Sequence, residues 1–377
     1  MRGSCYNIAD LRRKARSRAH PMVFHYIDGG ADDEIAMRNN HLRFRRYEIA
    51  YNVLAGINRA DLSTTLLGHR IDVPFILSPS AGNRLFHKDG ERAVAKAAAK
   101  AGTIYSLSTL SSVSIEEIAA LTDGPKWFQL YVWKDRGLIR EMIMRAKAAG
   151  YTALILTVDL PVHGNREREL RHGFCIPPAI NLKQIWHAIC HPRWTWDYAT
   201  SPTIRYANLA SDLEKNSLLR FVSEQLDTSF TWDDAEWLLG EWNGPAIIKG
   251  VIQPDDAQRA VKTGFNAISI SNHGGRQMDS APAPIDMLRP IRDRIGDTAE
   301  LIVDGGVRRS SDIIKAMAMG ANAVSFARPY LYGLAAGGQK GVERALDLFV
   351  EGLHRDMILA GAASIADLNE KLIRLRA

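Results

Sequence analysis

The sequence predicts an α/β fold, a (β/α)8 (TIM) barrel with an N-terminal helical cap and a long insertion after strand 4. Eight short β-rich apolar runs recur about every 20–35 residues, the rhythm of βα units. Amphipathic, Ala-rich stretches with helical spacing stand between them. The one break in the rhythm is a long gap between Val158 and Pro245. A doubly wound sheet is the structural alternative, and it too places its loops at the carboxyl ends of the strands.

Residues 1–377 read as one domain, since an α/β barrel can use about 250 residues as a single unit. Residues 1–72 form the cap, 73–340 the barrel and 341–377 a closing helix and tail. Strands are expected at 73–79, 103–108, 126–132 and 153–158. Four more follow at 245–250, 266–271, 300–304 and 322–326. Helices are expected at Glu91–Lys100, Ile115–Leu121, Leu138–Ala149, Asp255–Lys262 and Ser311–Met319, with the insertion at about 160–228.

The composition is that of a globular protein, 46% hydrophobic and 24% charged, which excludes disorder and fibre. The formal charge is +6, but Arg2, Arg12, Arg13, Lys14, Arg16 and Arg18 crowd the first twenty residues against Asp10 alone. A basic terminus is not the basic stripe that nucleic acid requires, so no nucleic-acid partner is expected. That stretch reads instead as the exposed face of a helix begun at Asn7. The 3 cysteines (Cys5, Cys175, Cys190) suit neither a disulfide framework nor a zinc site. His163, His187 and His191 read as structural, and no metal is expected. With no apolar signal segment and no run of about 18 apolar residues, the expected location is cytoplasmic.

In a barrel the residues just after each strand face the active site. Here they are Pro79-Ser80-Ala81-Gly82, Ser108-Thr109, Gln129-Leu130-Tyr131 and Thr157-Val158-Asp159, then Lys249-Gly250, Ser271-Asn272-His273-Gly274-Gly275-Arg276, Asp304-Gly305-Gly306 and Ala327-Arg328. Hydroxyls and amides fill the first half, and His, Lys and Arg fill the second. The Rossmann, P-loop, HExxH and GxSxG motifs are missing. The barrel's own phosphate site follows strands seven and eight. DGGVRRS and ARPY stand there, with Arg308 and Arg328 able to bind an anion. His273 suits a base near neutral pH, Arg276 a carboxylate fork and Lys249 a developing anion. Asp159 either orients His273 by triad logic or caps a loop.

Taken in order, WFQLYV, TVD, IKG, SNHGGRQ and DGGVRR resemble the FMN-dependent α-hydroxy-acid oxidase and dehydrogenase family, which includes lactate and mandelate dehydrogenases. The resemblance runs from about Asn7 to the tail. It implies FMN as cofactor, held at the ring by Pro79, Ser80, Ala81, Ser108, Gln129, Thr157, Lys249 and Ser271. It implies that Asp304, Gly306, Arg308, Ala327 and Arg328 bind ribityl and phosphate. Tyr26, Tyr131, Arg166 and Arg276 match the substrate-binding set, and His273 matches the catalytic base. The implied reaction oxidises a small L-2-hydroxy acid to the 2-oxo acid, its proton leaving from either the α-carbon or the hydroxyl. Quinone, a cytochrome or oxygen takes the electrons, and a homotetramer is expected.

Three positions depart from the pattern. Ala327 stands where Gly commonly precedes the phosphate-binding Arg328. Ala81 matches the oxidases, whereas membrane-linked dehydrogenases tend to carry Gly. Leu110 leaves room for a larger apolar substituent. In the insertion, Leu182, Ile185, Trp186 and Ile189 follow i, i+3, i+4, i+7 spacing. Such a stripe either packs on the barrel as a lid or lies on a membrane surface. HPRWTWD resembles the insertion of the quinone-linked members, so peripheral contact through about 177–210, on the cytoplasmic membrane face, is an expectation.

Overall fold

Parallel strands covered on both faces read as near-continuous apolar runs, and the eight runs fold that way, with polar residues mostly at their ends. In the computed structural model, which describes residues 5–175, 181–209 and 224–376, they are β1 (Phe75–Leu77), β2 (Tyr105–Ser108), β3 (Lys126–Tyr131) and β4 (Ala153–Thr157). The second half is β5 (Ala246–Val251), β6 (Ala267–Ile270), β7 (Glu300–Asp304) and β8 (Ala323–Phe326). Every residue of β1 to β4 is buried. All neighbours pair in parallel, and β8 returns to β1 with Val324 opposite Phe75. The ring is closed, so the doubly wound alternative is excluded.

The barrel interior holds its own apolar cluster, in which Ile76, Trp127, Ile155, Ile247 and Ile302 meet Leu66 and Ile71. The last two come from a hairpin, Thr64–Leu66 with His69–Ile71, that plugs the floor. Its two-residue loop puts Leu67 at φ 46° and Gly68 at φ 78°, the backbone of a type I′ turn. The cap is therefore not purely helical as expected. A third strand in it, Tyr47–Ile49, pairs antiparallel with Ile373–Leu375 of the tail.

Local signals explain the helices around the ring. Ser114 Oγ accepts from Glu117 N at 3.1 Å and Asp135 Oδ1 from Leu138 N at 3.0 Å, capping Ile115–Leu121 and Arg136–Ala148. The helix between β6 and β7 is Pro284–Ile295; Pro284 is harmless in the first turn, but Pro290 sits inside. The closing helix starts just after Gly338, within a few residues of the expected 341, and a separate helix precedes it. One run, Arg328–Ala360, leaves β8 and breaks its helical geometry at Gly337 and Gly338.

The N-terminal helix, Ile8–Arg18, starts as read, with Asn7 Oδ1 accepting from Asp10 N at 2.9 Å. Its basic face is not simply exposed. Arg12 grips the buried Asp28 through Nε at 2.5 Å and Nη2 at 2.7 Å, and Arg18 donates to Ala336 O. Arg168 Nη1 and Tyr332 OH reach the same Asp28 carboxylate at 2.9 and 2.8 Å. Burial alone would raise the Asp28 pKa, but these donors hold it near 2. Cap, insertion and the helix that follows β8 are tied together at this one side chain.

The insertion carries Glu167–Arg171, Leu182–Cys190 and Pro192–Ala199 before Trp232–Trp242 resumes the barrel pattern. No residue of Leu182–Cys190 is buried. Its polar side faces the protein, since Gln184 Nε2 donates to His172 O at 3.1 Å. Its apolar stripe faces out, with Leu182 86%, Trp186 65% and Ile189 64% exposed. The lid alternative is excluded for this stripe. The expected membrane segment, about 177–210, also takes in residues 177–180 and 210, which lie outside the described residues.

Candidate active site

The strand ends converge on a cavity of about 390 Å³ at the carboxyl end of the barrel. Pro79, Ser80, Ala81 and Leu110 line it from the first two strands, and Gln129, Tyr131 and Thr157 from the next two. Lys249, His273, Arg276 and Asp304 line it from β5 to β7, and Gly306, Arg308, Ala327 and Arg328 from the last two loops. Tyr26 enters from the cap and Arg166 from the insertion. Most of the site expected from the sequence is thus assembled in one place.

Three expected residues stand behind the wall instead. Ser108 donates its hydroxyl to Gln129 Oε1 at 3.1 Å, while Gln129 Nε2 donates to Thr157 Oγ1 at 3.0 Å. Ser271 Oγ donates to Asp304 Oδ2 at 2.7 Å and accepts from Lys249 Nζ at 3.0 Å. Both serines orient neighbours rather than face the cavity, as expected of a small side chain one layer below the rim. Asp159 is the third, lying behind His273.

His273 sits at φ 56°, a left-handed backbone that a non-glycine residue holds only when its surroundings impose it. The chain turns sharply here, because Gly275 follows at φ 73° and a Cβ on it would meet Met37 N at 2.3 Å. Asn272 locks the turn to the cap: its Nδ2 donates to Asn40 Oδ1 and its Oδ1 accepts from Asn40 Nδ2, each at 2.7 Å. His273 Nδ1 lies 2.8 Å from Asp159 Oδ1, so Nδ1–H donates to the carboxylate and Nε2 is left as the acceptor. Burial lowers the His273 pKa below the usual 6.5, with Asp159 opposing. The imidazole is a neutral base at physiological pH.

Lys249 Nζ is 2.9 Å from Asp304 Oδ2. Ser78 and Ser325 donate to Asp304 Oδ1 at 2.5 and 2.6 Å. Burial pushes the Lys249 pKa down, but Asp304 and Asp159 outweigh it and raise it, so a fully enclosed ammonium stays charged. At the other end, Gly305 and Gly306 turn at φ 98° and 80°, and a Cβ on Gly306 would lie 2.0 Å from Asn40 O. Arg308 and the start of helix Arg328–Ala360 border the same space, where backbone N–H groups and the helix dipole favour an anion. Arg328 donates to Ile27 O, Gly274 O and Gly29 O at 3.0, 2.8 and 2.7 Å. Three of its five N–H groups are used, leaving two for a ligand.

On the insertion side, Arg276 Nη1 donates to Tyr26 O at 2.6 Å, and its guanidinium lies 4.8 Å from the Tyr26 ring centroid. Arg166 Nε donates to Arg276 O at 3.2 Å and Nη2 to Gln277 Oε1 at 3.1 Å. Burial raises the Tyr26 pKa and pushes Tyr131 up to about 12, so both phenols remain proton donors.

The sequence reading missed part of this wall. Glu169, Leu170, Phe174 and Tyr206 of the insertion line the cavity, as do Leu160 and His163. Phe174 stacks on Tyr26 with centroids 4.3 Å apart. His163 was read as structural, yet it faces the site and burial lowers its pKa to about 4. For Glu169 a signal existed, since i, i+3 spacing from Arg166 places the two on one helical face. Tyr206 and Phe174 carry none, because irregular chain has no period.

Known proteins share this fold and much of this sequence. The model of the FMN-dependent dehydrogenase family matches residues 15–375. An L-lactate oxidase of Nostoc sp. is 40% identical over 373 residues, covering 98% of each chain. An L-lactate dehydrogenase of Ectopseudomonas mendocina is 37% identical over 369 residues, covering 97% of each. The crystal structure of a monotopic membrane protein, (S)-mandelate dehydrogenase, superposes with a TM-score of 0.95 at 35% identity, covering 99% of this chain and 100% of that one. A match through nearly every residue, with the strand-end cavity intact, shows that the chain belongs to the FMN-dependent dehydrogenase family.

Proposed function

We propose that this enzyme oxidises a small L-2-hydroxy acid with an uncharged side chain, of the lactate or (S)-mandelate type, to its 2-oxo acid, with His273 as the base. The observation that carries this reading is the His273–Asp159 pair at 2.8 Å, facing a cavity that also holds Arg276 and Tyr26. Residues 1–377 act in it as one catalytic unit, since cap, insertion and the helix after β8 meet at Asp28.

The residues present fit FMN. Gly305, Gly306, Arg308 and the two spare N–H groups of Arg328 suit its phosphate; Pro79, Ala81, Gln129 and Thr157 suit a flat ring with polar edges. Lys249, enclosed and charged, suits a ring edge that gains negative charge. When bound, FMN supplies the two-electron acceptor.

Arg276, with Arg166 and Tyr26 beside it, fixes the substrate carboxylate and so aims the α-carbon and hydroxyl at His273. His273 Nε2 takes the proton, and Asp159 holds Nδ1–H and stabilises the imidazolium that results. Leu110, Leu160 and Phe174 keep the substrate's side chain dry. His273→Ala is expected to keep its yellow cofactor and lose about 10²–10⁴-fold in turnover. Substantial substrate-driven flavin reduction in that variant would remove the base assignment.

Electrons leave, in this reading, to a membrane quinone. The outward apolar stripe Leu182–Ile189 and Trp196, 70% exposed, support an interfacial seat. Among the described residues no helix is long and apolar enough to cross a membrane. Ala81 and the 40% identity to a lactate oxidase favour oxygen as the second reading. Peroxide yield in air, set against reduction of a quinone analogue, separates the two. Light scattering in mild detergent tests the expected tetramer.

A further inference from the structure

Two guanidiniums, Arg166 and Arg276, face the substrate end of the cavity, and one carboxylate, Glu169, stands with them. Glu169 is 6% exposed, and its Oε1 lies 2.8 Å from Arg276 Nη2. That oxygen is off the hydrogen-bond axis, so charge rather than a shared proton joins the pair. The other cavity charges are matched elsewhere. Lys249 pairs with Asp304 at 2.9 Å, His273 with Asp159 at 2.8 Å, and Arg308 and Arg328 lie by the phosphate cradle. His163 borders the two arginines but stays neutral, its pKa lowered to about 4 by burial and by their charge. The substrate end therefore carries one uncompensated positive charge, on side chains mostly withdrawn from solvent, where each Coulomb term is stronger than in bulk water.

We infer that Glu169 sets the charge class of the substrate: by cancelling one of the two guanidiniums it restricts the site to 2-hydroxy acids with a single carboxylate. This rests on the 2-hydroxy-acid reading above and extends it to a residue that reading leaves without a role. A second carboxylate would meet Glu169 and no free cation. Removing the Glu169 charge while keeping its shape releases Arg166 or Arg276 to take that second carboxylate.

The experiment compares wild type, Glu169→Gln and Glu169→Asp as FMN-loaded proteins on L-lactate, (S)-mandelate and L-malate. Glu169→Gln is expected to raise the malate-to-lactate ratio of kcat/KM about tenfold, the effect of one charge at one site, mainly through KM. Glu169→Asp, which keeps the charge, is expected to leave the ratio near that of wild type. Spectral titration with malonate and acetate gives a second readout that needs no turnover, and Glu169→Gln is expected to tighten malonate relative to acetate by a similar factor. An unchanged ratio in both readouts, in a variant that still holds its flavin, overturns the inference while leaving the enzyme's reaction untouched. If wild type oxidises none of the three acids, the proposed function fails, and the malonate titration still decides the role of Glu169.

Discussion

His273 and Asp159 show how much one pair determines. Burial lowers the imidazole pKa and the carboxylate opposes that, so in the proposed role of base His273 is neutral above its shifted pKa and inactive below it. The acid limb of kcat/KM is therefore expected below pH 6.5, with a plateau above. Asp159→Asn removes the charge that favours imidazolium, so the limb should move to still lower pH while the plateau falls about 10²–10⁴-fold. A pH profile on either substrate checks both, and an unmoved limb would mean that Asp159 only caps its loop. At this scale the sequence was informative where a strand end met a chemical group: His273, Lys249, Arg276 and Asp304 all line the cavity. It was uninformative about depth. Ser108 and Ser271 sit on the same strand ends, yet one-dimensional order does not say which side chain faces the cavity and which supports the one that does.

The insertion helix Leu182–Cys190 reverses the usual orientation of an amphipathic helix, turning its polar side to the protein and exposing its stripe. Periodicity found the helix, but a stripe has the same period whether protein or lipid covers it. Only the structure decides which face is outward. Replacing Ile185, Trp186 and Ile189 together by Ser removes apolar surface that supports nothing in the fold. Stability is expected to change by less than about 0.5 kcal/mol per site, as for other exposed positions. Turnover with a soluble acceptor should stay within about twofold, while sedimentation with anionic vesicles should fall at least about tenfold. If the triple variant sediments as wild type does, the helix is not the membrane contact. The barrel strands were read to within about two residues because burial on both faces makes them continuous apolar runs with sharp ends. The floor hairpin at 64–71 was lost in the cap because strands this short have too few positions to show a period.

In the proposed reading cap and barrel share one binding site, so cofactor binding and folding are expected to be coupled through the whole molecule. The link is Arg328, whose guanidinium spans Ile27 O and Gly29 O of the cap and Gly274 O of the His273 turn. Burial lowers its pKa to about 10, which still leaves it a cation at neutral pH. Arg328→Lys keeps the charge but replaces a planar fork by one ammonium, which cannot reach all three carbonyls. Each buried acceptor left without a donor costs about 1–3 kcal/mol, so Tm of the cofactor-free protein should fall by about 5–10 °C. Retention of FMN should weaken at least about tenfold, because the spare N–H groups of the fork are lost together with the cap's attachment. Since FMN binds only the folded form, saturating it should restore part of the lost Tm. Limited proteolysis locates the damage: early cleavage is expected within residues 5–42, where the cap has lost its tie, and not in the barrel strands. Cleavage that begins in the barrel, or an FMN affinity equal to wild type, would separate the two roles assigned to Arg328.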